Sequence, residues 1–189
     1  MPGRARLFDV TSLEPVLSSA AEMSAISADA SMVTDLHDAH GAALYDFARH
    51  LGLSDDQAAD ALQEAILRLW RELRRGALIE RPSAWLYRAM YRLAMDQHRW
   101  RQRLSLLLPR LAPGRTDYAG PEGSDRLTVW QAVAELPPRQ RHVLYLHYAA
   151  DLTFDQIAGV IGISASATRT HASRGVAALR QRLNIGEDA

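Results

Sequence analysis

From Ser164 onward the chain repeats short hydroxyl and guanidinium side chains at helical spacing. Ser166, Arg169, Thr170, Ser173 and Arg174 share one face, with His171 at its edge. Thr168, Ala172, Val176, Leu179 and Leu183 recur on the opposite face, the one a core would bury. Arg and short hydroxyls in the N-terminal half of a helix can reach base edges and phosphates in a major groove. The preceding segment, "TFDQIAGVIGIS" at 153–164, fits that use. It sets Ile157, Ile161 and Ile163 around Gly162, which permits the left-handed backbone of a tight turn between two helices. An ordinary helical hairpin with a solvated polar face has the same pattern. This stretch by itself leaves DNA reading and plain packing both open.

A second polar stripe lies in the first half of the chain. Arg81, Arg88, Arg92, His98, Arg99, Arg101 and Arg103 stand among Trp85, Tyr87, Tyr91 and Trp100, and Asp96 is the one acid between them. Arg interleaved with rings suits single-stranded nucleic acid, because guanidinium groups track phosphates and rings stack on unpaired bases. Trp85 falls on the apolar side and is expected in the core, whereas Tyr87, Tyr91 and Trp100 are expected to be partly exposed. A third set, Asp60, Gln63, Glu64, Arg68 and Arg71, occupies the outer face of "DALQEAILRLWRE". Intrahelical ion pairs explain it; so does a surface that docks a partner.

Catalysis finds no support. His37 and His40 flank Asp38 but lack a nearby third ligand for a metal. His142 and His147 do not share a helical face. There is no phosphate-binding glycine loop, and nothing points to a cofactor.

The elements that must carry these side chains are helical throughout. Residues 1–33, rich in Ala and Ser, are expected to form a tail with at most a short helix around Leu13–Met23. From Asp35, one face collects Leu36, His40, Ala43, Leu44, Phe47 and Leu51, and Gly52 closes the helix. Ser54 with Gln57 forms a capping box that opens a second helix, ended by Gly76. Pro82 starts a third helix that runs to about Leu107. Residues 109–124, "PRLAPGRTDYAGPEGS", are too dense in Pro and Gly for a helix or a buried strand and read as a linker. Beyond it, helices are expected from about Asp125 to Leu136, from Pro138 to about Ala150, from the Thr153–Gln156 capping box to Gly162, and from Ser164 to Leu183. The reading is an all-α chain of two helical domains, 34–108 and 125–183, with a tail at 184–189.

Composition sets wide limits. The 189 residues contain 22 basic and 22 acidic side chains, for a net charge of zero, and every basic residue apart from histidine is Arg. Residues 54–108 carry ten Arg against seven acids, while residues 1–53 carry three Arg against seven acids. No Cys is present, which excludes disulfides, thiolate zinc sites and cysteine nucleophiles and fits a reducing compartment. No apolar run approaches the roughly 20 residues of a membrane helix. The N-terminus shows no secretory pattern, so a cytoplasmic protein is expected.

Taken together, the motifs resemble the extracytoplasmic-function group of bacterial sigma factors. "DALQEAILRLWRE" resembles the core-binding helix of sigma region 2, and "SAWLYRAMYRLAMDQHRWRQR" is similar to the segment that engages the −10 element. "AVAELPPRQRHVLYLHYAADLTFDQIAGVIGISASATRTHASRGVAALRQRL" resembles region 4 with its helix-turn-helix. The resemblance implies a sigma factor without enzymatic activity, which binds core RNA polymerase and promoter DNA and is usually held inactive by an anti-sigma factor. Carried over, it places Asp60, Gln63, Glu64 and Arg68 on the clamp helices of the polymerase's largest subunit. It places Arg88, Arg92, Asp96 and Arg99 at the −10 strand, and Arg169, Thr170, His171, Ser173 and Arg174 at the −35 element. The chain departs from the family pattern at Arg92, where Asn is common, and at Ser166-Ala167-Thr168, where Gly-Thr-Val is frequent. Its loop "RGALIERP" is short. Two other functions remain in view: a stand-alone helix-turn-helix regulator, and an interaction protein that sequesters polymerase or an anti-sigma factor.

Overall fold

A computed structural model describes residues 14–107 and 124–183. Seven helices make up the described residues: α1 (Glu14–His50), α2 (Asp55–Arg74), α3 (Pro82–Leu107), α4 (Ser124–Ala134), α5 (Pro138–Tyr148), α6 (Phe154–Ile161) and α7 (Ala165–Arg182). Residues 109–123 of the proposed linker and the segment after Leu183 lie outside the described residues, while Ser124, placed in the linker by its sequence, is the first residue of α4.

Local signals set most of the boundaries. Ser54 accepts from the Gln57 amide while the Gln57 side chain accepts from the Ser54 amide, and Thr153 and Gln156 do the same at α6. Gly162 ends α6 with φ 77°, the left-handed geometry that lets the Ser164 cap follow two residues later and α7 start at Ala165. One boundary differs from the sequence reading. Residues 14–33 are the first part of α1 rather than a separate tail. Between Pro15, tolerated in the first turn, and Gly41, the segment has no Gly or Pro and is rich in Ala, so its propensity sustains a helix without an apolar stripe.

α1, α2 and α3 form one bundle. Leu44, Phe47, Leu69, Leu86 and Met90 are fully buried in it. α4–α7 form the second, around Leu144, Leu146, Ile157 and Thr168. The Thr168 hydroxyl, which occupies a core position, donates to the Ser164 carbonyl at 3.0 Å, so its burial leaves no donor unmade. Gly175 is the close-approach point of α5 and α7: a Cβ there would lie 2.9 Å from the Leu144 side chain.

The two bundles share a core. Tyr145 of α5 stacks on Phe47 (5.4 Å between centroids) and on His50 (4.5 Å), both from α1. Tyr91 of α3 meets His142 of α5 edge-on at 5.7 Å, and Arg139 donates to the Tyr91 hydroxyl at 3.0 Å. Burial holds the His50 imidazole far below its ordinary range, at about 3, with the Arg141 charge adding to the effect. His142 is lowered well below its ordinary range by burial first, then by His50 and the neighbouring arginines. Both rings are neutral in this packing.

Candidate nucleic-acid interface

Three polar stripes are presented by three helices whose other faces are fixed in the cores. On α2, Asp60, Gln63 and Arg68 are exposed and Glu64 is half-buried. Arg68 donates to the Glu64 carboxylate at 2.7 Å, and that hydrogen bond is the main reason the carboxyl is held below its usual range. The pair is solvent-facing, so its stability contribution is small and it is free to exchange for partner contacts.

On α3, Arg88, Arg92, Asp96 and Arg99 are exposed along one side. Arg99 donates to Asp96 at 2.8 Å. They line a crevice of about 400 Å³ whose opposite wall is Gly159–Gly162 of α6. The helix that precedes α7 therefore stands against the −10 candidates.

Several members of the Arg-aromatic stripe have other duties. Tyr87 and Tyr91 are buried, at 3% and 6% exposure, contrary to the exposed positions expected for them. Tyr87 packs edge-on against Phe47 at 5.3 Å, and Tyr91 is covered by α5. Burial pushes the Tyr87 hydroxyl up to about 12. Trp85, expected in the core, is half-buried, with part of its ring on a surface crevice. Trp100 is exposed. His98 lies 2.7 Å from the Leu51 carbonyl, and Arg101 reaches the Gly52 carbonyl and the Gln57 side chain. Both residues tie α3 to the α1–α2 turn and are not available as phosphate contacts.

On α7, Arg169, Thr170, Ser173 and Arg174 lie together on an exposed face. Arg169 sits 3.8 Å from Asp155 and over the Phe154 ring at 5.9 Å, which orients its guanidinium from α6. Thr170 donates to the Ser166 carbonyl at 3.0 Å, leaving its oxygen lone pairs outward. His171 is half-buried at the edge, and its Nδ1 is enclosed without a hydrogen-bond partner among the described residues. Sequence reasoning placed no weight on Arg75 or Arg139. The basic run "RELRR" at the end of α2 was the available signal for the first. Nothing local marks the second.

Fold and surfaces define a two-part helical DNA-binding protein. The family model for Sigma-70 region 2 matches residues 36–104, and that for Sigma-70, region 4 matches residues 126–179. The chain is 30% identical over 170 residues to the ECF RNA polymerase sigma factor SigL of Mycobacterium tuberculosis, covering 84% of this chain and 93% of the relative. It is 26% identical over 126 residues to the RNA polymerase sigma-E factor of Streptomyces antibioticus, covering 67% of this chain and 70% of that protein. Among solved structures, the sigma factor RpoE of Bartonella quintana in complex with the anti-sigma factor NepR matches with a TM-score of 0.65 at 20% identity. That match covers 82% of this chain and 98% of RpoE. CnrH in complex with the cytosolic domain of CnrY matches with a TM-score of 0.57 at 23% identity, covering 89% and 96% of the two chains. These two show the fold.

The chain belongs to the extracytoplasmic-function sigma factors. It is an alternative sigma factor, a non-enzymatic factor that directs promoter recognition at transcription initiation. No helix among the described residues is long and apolar enough to cross a membrane.

Proposed function

We propose that each stripe has one partner in the initiation complex. Asp60, Gln63, Glu64 and Arg68 dock on the clamp helices of core RNA polymerase. Arg88, Arg92, Asp96 and Arg99 hold the −10 strand. Arg169, Thr170, Ser173 and Arg174 read the −35 element, with His171 at the border of that face. The carrying observation is that each set is solvent-facing on its own helix while the reverse face is locked in a core. Such a helix presents its polar groups in a fixed frame, as recognition by several partners at once requires. The chain works in the cytoplasm, where polymerase and promoter are found. It is held in check by an anti-sigma factor, a reading supported by the Bartonella neighbour, which is itself bound to one.

Run-off transcription with purified core polymerase, together with gel shifts with and without core, tests this reading. Promoter-specific transcript dependent on the chain is expected. Tight promoter binding by the chain alone, with no transcript on adding core, would favour a stand-alone regulator instead.

A further inference from the structure

The chain has five methionines and no cysteine, so thioethers rather than thiols take up a two-electron oxidant. The four methionines among the described residues differ in access. Met23 is 67% exposed, Met32 and Met95 are half-buried, and Met90 is fully buried. Of these, only Met95 lines the crevice of about 400 Å³ between α3 and α6. Gly159–Gly162 form the opposite wall, and the buried Val160 and Ile161 there belong to the core that the two bundles share. Met95 packs against that same core. Its side chain therefore stands where one bundle meets the other. The crevice is also far larger than the roughly 30 Å³ share of a water molecule, so a small oxidant can enter.

We propose that Met95 is an oxidation site whose sulfoxide loosens the packing of the two bundles. The reaction is a two-electron transfer to a peroxide. The thioether lone pair attacks one peroxide oxygen, the O–O bond breaks and an S–O bond forms. The displaced hydroxide takes up a proton and leaves as water, so sulfur is oxidised and the peroxide reduced. The product carries a polar S=O where an apolar side chain was packed. Beside Val160 and Ile161 that oxygen loses water, and in the separated state it regains it, so oxidation favours separation. Arg92 and Arg99 line the same crevice and can donate to the S=O. Both stand on α3 with Met95, so they are available in either state and do not offset the cost. Separation uncovers the Arg92–Arg99 side of α3. The loosening does not depend on the −10 reading above, whereas a resulting gain in strand binding does. Methionine sulfoxide reductases reverse the step, which makes it a switch.

The test uses the full-length chain, treated with hydrogen peroxide and then freed of it. Peptide mass spectrometry counts the sulfoxide at each methionine, and small-angle X-ray scattering reads the separation of the bundles. Anisotropy of a fluorescent oligodeoxythymidine strand of about 12 nucleotides reads access to α3. Met95 is expected to oxidise before Met90, and the packed-to-separated ratio to fall about fivefold as it does. Treatment with the two kinds of reductase is expected to restore the original scattering. Met95→Leu keeps the volume and removes the sulfur, so it is expected to pack normally and to stay packed after peroxide. Met95→Gln installs a polar group without oxidant and is expected to separate untreated, with helix content unchanged by circular dichroism. Equal expansion of wild type and Met95→Leu after peroxide assigns the effect to another methionine and overturns the proposal. So does unchanged or more compact scattering once Met95 is fully oxidised. Expansion that Met95→Leu abolishes, without stronger strand binding, upholds the Met95 site and counts against the −10 reading alone.

Discussion

The Arg139 guanidinium donates to the Tyr91 hydroxyl at 3.0 Å and to the Ile161 carbonyl at 3.4 Å, so one side chain joins α5, α6 and α3. It fixes α6 against the helix that carries the −10 candidates. Arg139 is exposed, so we assign the contact about 1 kcal/mol, below the usual range for charged hydrogen bonds. Arg139→Ala is expected to shift the packed-to-separated ratio of the bundles about fivefold. A donor–acceptor dye pair, one dye on each bundle, reads this directly. Separation also uncovers the Arg92–Arg99 side of α3, so single-strand binding by the free chain is expected to strengthen. Identical dye distances in wild type and variant would show that Arg139 does not hold the bundles.

The buried imidazoles make that packing sensitive to acid. His50 is faced by Trp130 of α4 and by Arg141, His142 and Tyr145 of α5. His142 is faced by His50, Arg139, Arg141, Tyr91 and His98. Once the bundles separate, each ring regains an ordinary affinity for protons, near 6.5. Between that value and the depressed one, the separated state binds more protons, so packing weakens as pH falls. Above 6.5 both states are neutral and nothing changes. The slope is about 1.4 kcal/mol per pH unit for each imidazole. Asp46, whose carboxyl is raised by burial, works in the opposite sense and at lower pH. The dye pair should report separation between about pH 6.5 and pH 5. His50→Phe with His142→Phe should flatten the response; a flat wild-type profile would refute it.

Two glycines should respond oppositely to alanine. At Gly175 a Cβ meets the buried Leu144 side chain at 2.9 Å and the Gln140 Cβ at 3.4 Å. Overpacking of this kind costs roughly 1–3 kcal/mol, which outweighs the gain of up to about 1 kcal/mol from replacing Gly in a helix. Gly159 has no atom within 4 Å of its Cβ position, so only the gain applies. Thermal melts should place Gly175→Ala below wild type and Gly159→Ala above it. The same order for both would sink the close-approach argument.

The helices were readable because their signals are local. Ser54 with Gln57, Thr153 with Gln156, and Gly162 each set a boundary through contacts within one turn. The buried face of α7 followed from the spacing of Thr168 and Ala172. Contacts between distant segments were not readable. Tyr91 looked like an exposed ring because the helix that buries it, α5, is about fifty residues away in sequence. Arg101 looked like a phosphate contact because its partners, the Gly52 carbonyl and Gln57, lie across the bundle. Residues 14–33 lack an apolar stripe, so periodicity could not report a helix that propensity sustains.

The two arginines of α7 should fail differently. Arg169 is oriented by Asp155 and Phe154 from the preceding helix, whereas Arg174 has no ion-pair partner among the described residues. An arginine given a preferred direction at a helix's outer face suits bidentate contact with a base edge, worth about 1–3 kcal/mol of discrimination. A freer one suits phosphate, which carries no sequence information. Arg169→Ala is therefore expected to relax −35 sequence preference, and Asp155→Ala should do so more weakly by loosening the same guanidinium. Arg174→Ala is expected to weaken promoter binding evenly across sequences and to reduce the salt slope by about one. Selection of active promoters from a library randomised at the −35 element, transcribed by the reconstituted holoenzyme, measures both effects. An altered base preference for Arg174→Ala with none for Arg169→Ala would reverse the assignment.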